Sequence, residues 1–328
     1  MSKKVLVTGA TGFTGSHLCK RLVNKGYNVR ALARKTSELT ELQKLDLEIT
    51  YGDVTDPKSL ARALKGTEIV YHLAAAFLHD GLPEKTFWEV NVEGTKNLLQ
   101  TAQQEGVQCF VHCSTVGVHG DIKNPPANEM TPYRPGDYYQ ESKTEGERVV
   151  LKYMAAGHLP IVVFRPAGIY GPRDLRLLKL FKTIKTRTFV MLGSGEVIYQ
   201  MIYIDDLVDG IVLCGTEEQA LGHVYILTGE EPTTLNQLAR VIAEVLHVRP
   251  TRLRFPVTPV YLAGFACELL CKPLGINPPL YRRRVDFFRK TRCFDISKAK
   301  RQLGFKPKTD LRTGIRLTAE WYQKEGWL

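Results

Sequence analysis

Short β-rich apolar runs alternate with longer amphipathic stretches over the first half of the chain. Six runs predict strands, at residues 5–7, 29–33, 47–51, 69–73, 110–114 and 161–165. Between the first two, residues 14–25 place Leu18, Leu22 and Val23 on one helical face, and Gly26 follows. Strands separated by helices of this length imply right-handed crossovers and a parallel sheet with helices on both faces. The pattern predicts an α/β fold with a doubly wound (Rossmann) sheet.

After Pro172 the pattern becomes less regular. It predicts helices over 174–187, 205–214 and 235–246, a turn-like stretch over 193–203, and then a proline-interrupted apolar stretch and a basic tail. Neither an internal repeat nor a clear linker is evident in the sequence. We therefore expect a dinucleotide-binding core formed by residues 1–172 and 205–230. Residues 173–204 and 231–328 are expected to form a smaller C-terminal substrate-binding lobe.

Composition narrows the class of protein. The chain has 328 residues, 44% of them hydrophobic, and a net charge of +11, which excludes disordered and fibrous chains. Seven scattered cysteines without a C-x-x-C pair predict reduced thiols and no metal site. The N-terminus does not resemble a secretory signal, and the longest apolar candidate, residues 257–270, is interrupted by Pro259 and Glu268. We expect a cytoplasmic protein without a membrane span, with weak association to a membrane surface left open.

A glycine-rich segment follows the first predicted strand and opens the first predicted helix. Three glycines at this spacing allow a tight turn, close approach of the backbone to a pyrophosphate, and close packing of helix on strand. The N–H groups and partial positive charge of the helix N-terminus then face the phosphates. The position of the motif, between a strand and a helix, predicts a dinucleotide site. Its candidate contacts are Gly9, Thr11, Gly12, Phe13, Thr14 and Gly15.

The end of the second strand indicates which dinucleotide binds. An NAD site usually places an acid there for the ribose 2′-hydroxyl, whereas an NADP site lacks it and supplies arginine. Here Ala33 takes the place of the acid, and Arg34 and Lys35 follow. NADP(H) is therefore favoured over NAD(H), although the pair is also compatible with a solvated basic loop. Asp53 and Val54, after the third strand, suit the adenine edge unless Asp53 is simply a turn residue.

Candidate chemistry comes from a Y-x-x-x-K motif, Tyr139 and Lys143, whose side chains share one helical face. The ammonium favours the phenolate, so a phenol that titrates near 10 becomes usable as an acid or base near neutral pH. Upstream, the fifth strand ends in Ser114 and Thr115. Because the carboxyl ends of the strands form the ligand crevice, a hydroxyl there can bond the substrate oxygen that the tyrosine protonates.

These motifs together resemble the extended short-chain dehydrogenases/reductases, which include epimerases, dehydratases, dihydroflavonol-type reductases and 3β-hydroxysteroid dehydrogenases. The resemblance covers nearly the whole chain. Further matching segments are His72-Leu73-Ala74-Ala75, Asn91-Val92-Glu93-Gly94-Thr95, Arg165-Pro166-Ala167-Gly168-Ile169-Tyr170-Gly171-Pro172, Tyr203-Ile204-Asp205-Asp206, Phe294-Asp295-Ile296-Ser297-Lys298-Ala299 and Leu303-Gly304-Phe305-Lys306-Pro307.

The resemblance implies roles for individual residues. Tyr139 resembles the catalytic acid/base, Lys143 its partner, and Thr115 the substrate-binding hydroxyl, with Ser114 as a weaker candidate. The further cofactor contacts implied are Ala74, Ala75, Asn91, Tyr139, Lys143, Pro166 and Ile169, with helix packing as the alternative for Asn91. His119 replaces a tyrosine often found in the family, and it either packs or faces solvent, or contacts substrate.

Substrate class depends on one departure from the family pattern. Nucleotide-sugar enzymes of this family usually carry an R-x-F-N segment, whereas this chain has Arg165-Pro166-Ala167-Gly168. The resemblance therefore implies hydride transfer to or from a secondary alcohol or ketone of an apolar, ring-containing substrate, such as a sterol or flavonoid. A nucleotide-sugar 4-epimerase or dehydratase with tightly bound NAD is the alternative.

The binding partners expected for this chain are inferred from its charge and from the same resemblance. The arginine cluster at 282–284 can meet phosphate, anionic lipid or only water. The basic composition invites a nucleic-acid function, but no recognition motif supports it, and we expect no nucleic-acid partner. Family members often dimerise through two helices, here around 86–105 and 140–156, so a homodimer is expected by analogy.

Overall fold

A seven-stranded parallel sheet organises the chain. The computed structural model describes residues 3–77, 82–271 and 278–328. The sheet order is β10-β6-β5-β4-β1-β2-β3, and every neighbouring pair is parallel. The strands are β1 (Lys4–Thr8), β2 (Asn28–Ala33), β3 (Glu48–Tyr51), β4 (Ile69–His72), β5 (Cys109–Cys113), β6 (Ile161–Pro166) and β10 (Val224–Leu227). The predicted doubly wound fold is confirmed.

Two short parallel pairs lie outside this sheet. They join β7 (Gly168–Tyr170) to β9 (Met201–Tyr203), and β8 (Met191–Leu192) to β11 (Arg254–Phe255). Strand β9 lies at the end of the stretch 193–203, so that stretch is turn-like only in its first part. The sequence analysis also missed β10, because a four-residue apolar run cannot be distinguished from a buried helix segment by periodicity.

The helices of the described residues follow the strands in alternation through the first half. They are α1 (Phe13–Asn24), α2 (Pro57–Leu64), α3 (Glu84–Trp88), α4 (Gly94–Gln104), α5 (Tyr138–Ala155), α6 (Leu178–Lys185), α7 (Ile204–Thr216), α8 (Leu235–Val245), α9 (Val257–Cys271), α10 (Arg282–Asp286), α11 (Ser297–Leu303) and α12 (Leu311–Lys324). A π-helical turn, Glu89–Glu93, joins α3 to α4.

One prediction about a helix is corrected: the helix predicted over 174–187 is the shorter α6, Leu178–Lys185. The proline-interrupted apolar stretch after residue 256 forms α9, Val257–Cys271, with Pro259 in its first turn. Proline is tolerated in the first turn of a helix, where its missing N–H has no intrahelical partner to lose.

Alternation along the central strands separates the core into two layers. Val5 and Val7 belong to one buried cluster, and Leu6 between them belongs to the other. Helices α1 and α7 pack together, as do α2 with α4 and α4 with α5. Both faces of the sheet are therefore covered, and the open crevice lies at the carboxyl ends of the strands. The division into core and lobe at the predicted boundaries stays a prediction.

Candidate active site

The glycine turn after β1 leaves no room for a side chain at Gly9 or Gly15. Gly9 has φ +68°, and a Cβ there would lie 2.7 Å from the amide nitrogen of Ala74. A Cβ at Gly15 would lie 2.1 Å from the carbonyl oxygen of Gly9. Gly12 caps α1 without a side-chain hydrogen bond, and the first turn contains no acidic residue. The N-terminus of α1 is thus electrostatically and sterically suited to a phosphate group.

A buried histidine connects this turn to the neighbouring strand. The two ring nitrogens of His72 lie 2.8 Å from Thr8 Oγ1 and 3.0 Å from Thr95 Oγ1. The Ala74 amide donates to Thr8 Oγ1 at 3.1 Å. Burial lowers the pKa of His72 to about 3, so the ring is neutral at physiological pH. The sequence alone does not reveal this role of His72, since its partners Thr8 and Thr95 lie 64 and 23 residues away in the chain.

The residues predicted to select the dinucleotide lie at the carboxyl ends of β2 and β3. Strand β2 ends at Ala33, and the side chains of Arg34 and Lys35 are exposed immediately after it. Asp53 accepts hydrogen bonds from the amide and hydroxyl of Thr55, at 2.9 and 2.8 Å, so its carboxylate stabilises a turn. Val54 is buried. The turn role proposed as the alternative for Asp53 is therefore present, and an adenine contact stays a prediction.

Helix α5 carries the Y-x-x-x-K motif. Asp137 caps the helix by accepting from the Gln140 amide at 2.8 Å, which places Tyr139 in the first turn and Lys143 one turn later. Lys143 is buried, and its Nζ donates to the carbonyl oxygen of Cys113 at 2.6 Å. An ammonium has three donors, so two remain for other acceptors. Burial lowers the pKa of Lys143, although Cys113 and Glu147 oppose that change.

The pKa of Tyr139 departs from the sequence-based expectation. Burial raises it, aided by Cys113 and Asp137, while a hydrogen bond with Thr115 and the charge of Arg176 act in the opposite direction. The sequence analysis expected the Lys143 ammonium to lower it. Desolvation of the phenolate outweighs these favourable contacts, and the charge of Lys143 is not among the main causes of the change. The phenol is therefore protonated at neutral pH.

Two adjacent hydroxyls after β5 have different surroundings. Ser114 is buried and donates to the Glu147 carboxylate. Thr115 is partly exposed and caps a short 3₁₀ helix by accepting from the Gly117 amide at 3.0 Å. The geometry supports Thr115 over Ser114 as the hydroxyl that reaches substrate.

A buried ion pair lies behind these hydroxyls. Arg165 Nε donates to both carboxylate oxygens of Glu147 at 3.1 Å, and Tyr133 donates to Glu147 Oε1 at 2.7 Å. Burial alone would raise the pKa of Glu147, but Arg165, Ser114 and Tyr133 lower it below its ordinary value. The sequence alone does not predict this network. A Glu one helical turn after Lys143 was its only sequence signal.

His119 is part of the same network. It is buried, with Nε2 3.1 Å from Arg165 Nη1 and Nδ1 3.4 Å from the Pro132 carbonyl oxygen. Burial and the Arg165 charge lower its pKa to about 4. These contacts support packing, the first of the alternatives for His119.

Asn91 also makes structural contacts. Its Oδ1 accepts from the Ala76 amide at 2.8 Å, and its Nδ2 donates to the Ala76 carbonyl at 3.1 Å and to Ser142 Oγ at 2.9 Å. The side chain thereby joins the loop after β4, which includes Ala74 and Ala75, to the catalytic helix. This favours the packing alternative for Asn91 over a direct cofactor contact.

An aromatic ring fills the position where nucleotide-sugar enzymes usually carry Asn. A Cβ at Gly168 would lie 2.9 Å from the Tyr199 hydroxyl and 3.2 Å from its ring. The Tyr199 ring contacts Phe287 edge to face at 4.9 Å. On either side of Gly168, Pro166 ends β6 and Ile169 lies in β7, near the carboxyl edge of the sheet.

The residues present fit a nicotinamide dinucleotide. The glycine turn and the α1 N-terminus would hold the pyrophosphate, and Lys143 has donors left for a ribose. The bound cofactor would supply the carbon that gives or accepts a hydride. Within the described ranges, no group of three His, Cys, Asp or Glu side chains is arranged to hold a metal ion. No helix in the described part of the chain is long and apolar enough to cross a membrane.

The fold and this site define a nucleotide-binding enzyme of the doubly wound class. Residues 5–227 match the model of the NAD dependent epimerase/dehydratase family. The chain belongs to this family and is an extended short-chain dehydrogenase/reductase enzyme.

Its relatives include enzymes of two substrate classes. A decarboxylating sterol-4-alpha-carboxylate 3-dehydrogenase from Candida albicans is 31% identical over 98% of each chain. A 3 beta-hydroxysteroid dehydrogenase/Delta 5-->4-isomerase from Mycobacterium tuberculosis is 31% identical over 93% of this chain and 86% of that protein. The UDP-glucuronic acid 4-epimerase from Bacillus cereus, solved with NAD, has a TM-score of 0.78 and 25% identity over 98% of this chain and 99% of its own.

Proposed function

We propose that this enzyme transfers a hydride between a nicotinamide cofactor and a secondary alcohol or ketone on an apolar, ring-containing, sterol-like substrate. The observation that carries the substrate class is the Tyr199 ring packed over Gly168. That ring takes the space of the phosphate-binding Asn implied by the nucleotide-sugar pattern, and it continues into Phe287. The two curated relatives named for sterol or steroid oxidation support the same class.

Three side chains carry the proton chemistry in this proposal. Tyr139 exchanges a proton with the substrate oxygen, Thr115 bonds that oxygen, and Lys143 positions the ribose and stabilises the phenolate. The raised pKa of Tyr139 keeps the phenol protonated, which suits donation to a ketone oxygen. Asn91 and His72 act indirectly, by holding the loop after β4 and the glycine turn in place.

We also propose that NADP(H) binds more tightly than NAD(H). The exposed pair Arg34 and Lys35 directly follows β2, where no acid is present to meet a ribose 2′-hydroxyl. An arginine is well suited to a 2′-phosphate because its planar donors bind it in pairs. A homodimer through the exposed faces of α4 and α5 is proposed by family analogy alone.

The test is a substrate screen followed by nicotinamide absorbance. Sterol 3-alcohols and 3-ketones are offered with NADP(H) and with NAD(H), beside UDP-glucose and UDP-glucuronic acid as the contrasting class. We expect cofactor-dependent turnover of a sterol. Interconversion of a UDP-sugar without added cofactor, by protein purified with tightly held NAD, would establish the epimerase alternative instead.

A further inference from the structure

Helix α9 is apolar along its whole length and largely exposed. Its 15 residues, Val257–Cys271, include one charged side chain, Glu268, and only Gly264 is buried. Leu262, Leu269 and Leu270 are 59%, 62% and 69% exposed. A helix that is apolar on all sides normally lies inside a protein core or a membrane, because water does not solvate such a surface favourably.

Only one side of this helix is covered within the described residues. Helix α10 packs at Gly264, where a Cβ would lie 3.3 Å from the Arg282 amide nitrogen. The side chains of Leu262, Leu269 and Leu270 remain largely exposed, and Phe265 is 46% exposed although Arg282 of α10 lies over its ring. At 1.5 Å per residue the helix is about 22 Å long, shorter than the roughly 30 Å hydrocarbon layer of a bilayer. It is therefore too short to span and long enough to lie along an interface.

The segment of the chain that contains α9 is strongly basic. Residues 249–292 contain ten Lys and Arg against two Asp and Glu, a net charge of +8 in a chain whose total is +11. Glu268 accepts from both the amide and Nε of Arg282 at 2.7 Å, so the one acid of α9 is neutralised. The Arg282 and Arg289 guanidinium groups lie 4.9 and 3.9 Å from the ring centroids of Phe265 and Tyr261. Cations therefore lie directly beside the exposed apolar surface.

We propose that α9, together with Arg282, Arg284 and Arg289, is a binding surface for a bilayer that contains anionic lipids. The helix lies in the plane of the membrane with its leucines at the boundary between headgroups and acyl chains. The arginines keep their charged ends in the headgroup layer, where lipid phosphates meet them. Anionic lipid is favoured over a neutral bilayer because most of the net charge of the chain is concentrated in this segment. This surface stands independently of the proposed substrate.

Vesicle co-sedimentation tests the surface without any measurement of turnover. The purified full chain is mixed with vesicles of phosphatidylcholine alone, or of phosphatidylcholine with phosphatidylglycerol. We expect at least tenfold stronger partitioning onto the anionic vesicles, reduced by added salt because exposed charges are screened. The double variant Leu262→Gln/Leu269→Gln should lower that partitioning at least tenfold. The matched control, Met130→Gln/Leu221→Gln, removes exposed apolar side chains elsewhere and should behave like the wild type.

A second variant tests the charge, and a folding measurement accompanies each. Arg284→Gln/Arg289→Gln should lower binding to anionic vesicles severalfold, with an unchanged thermal midpoint and unchanged cofactor binding. Equal partitioning of the wild type onto neutral and anionic vesicles would overturn the proposal. It would also be overturned if the Met130→Gln/Leu221→Gln control lost as much vesicle partitioning as Leu262→Gln/Leu269→Gln. A wild-type dimer that Leu262→Gln/Leu269→Gln converts to a monomer while neither binds vesicles would overturn it too, since α9 would then cover a second copy.

Discussion

Replacement of Glu147 by Gln tests how far the buried ion pair supports the active site. The substitution keeps the shape of the side chain but removes the charge that faces Arg165, whose side chain is 2% exposed. Breaking a buried pair by removing one partner costs about 3–5 kcal/mol, because the remaining charge is left uncompensated. With an unfolding entropy of about 2.1 cal/mol/K per residue over 328 residues, the midpoint temperature of thermal unfolding should fall by roughly 4–7 °C.

The same helix offers a matched control for this substitution. Glu145 lies two residues earlier and pairs with Arg148 at the surface, where both side chains are partly exposed. Exposed pairs contribute about 0–1 kcal/mol, so Glu145→Gln should move the midpoint by less than about 1.5 °C. Thermal scans of the three proteins at one heating rate make the comparison. Equal shifts for Glu145→Gln and Glu147→Gln would refute the reasoning that the network is a major source of stability.

The pH dependence of this difference has a defined sign. Arg165, Ser114 and Tyr133 hold the pKa of Glu147 below its ordinary value, despite its burial. A carboxyl whose folded pKa is lowered contributes its full stability above its unfolded pKa, about 4.3, and loses it as pH falls through the folded pKa. The gap in midpoint between wild type and Glu147→Gln should therefore be constant near neutral pH and narrow below about pH 4. A gap that widens in acid would contradict the assignment.

The remaining predictions concern the cofactor, the proton and acid stability. Tyr139→Phe should bind cofactor normally and lose nearly all turnover, and retention of a tenth of wild-type kcat would exclude Tyr139 as acid/base. Arg34→Ala should weaken the binding of NADP(H) about ten- to hundredfold and leave the binding of NAD(H) unchanged, because a charge-assisted contact contributes roughly 1.5–3 kcal/mol. Equal dissociation constants of the wild-type protein for the two cofactors would contradict this prediction. Gly15→Ala should abolish cofactor binding in a titration, since its Cβ would lie 2.1 Å from the Gly9 carbonyl oxygen. The pKa of His119 is about 4 in the folded protein against an ordinary 6.5. Between these values the folded protein keeps His119 neutral, whereas the same side chain in the unfolded chain takes up a proton. The free energy of unfolding should therefore fall as the pH drops from 6.5 towards 4. Chemical denaturation of His119→Gln across this range should show a flatter dependence.

The local pattern of apolar, polar and glycine residues was sufficient to predict the fold and the positions of the main motifs. Buried parallel strands are short apolar runs, and the helices between them carry one apolar face, so both leave a periodic signal in the chain. The glycine turn is also local, because close backbone approach leaves no space for a Cβ at Gly9 and Gly15, which are only six residues apart. The six predicted strands therefore correspond to β1–β6, and Gly9 and Gly15 lie where their spacing indicated.

Tertiary structure alone decided the properties that depend on distant residues. Glu147 and Arg165 are 18 residues apart, and only the packing of α5 on β6 brings them together and buries both. The raised pKa of Tyr139 follows from desolvation, which no spacing of Tyr and Lys encodes. The Tyr199 ring occupies the space beside Gly168 from 31 positions further along the chain. Whether the apolar residues of α9 form a core or a surface is likewise decided by what packs against them, because hydrophobicity is local and burial is a property of the whole fold.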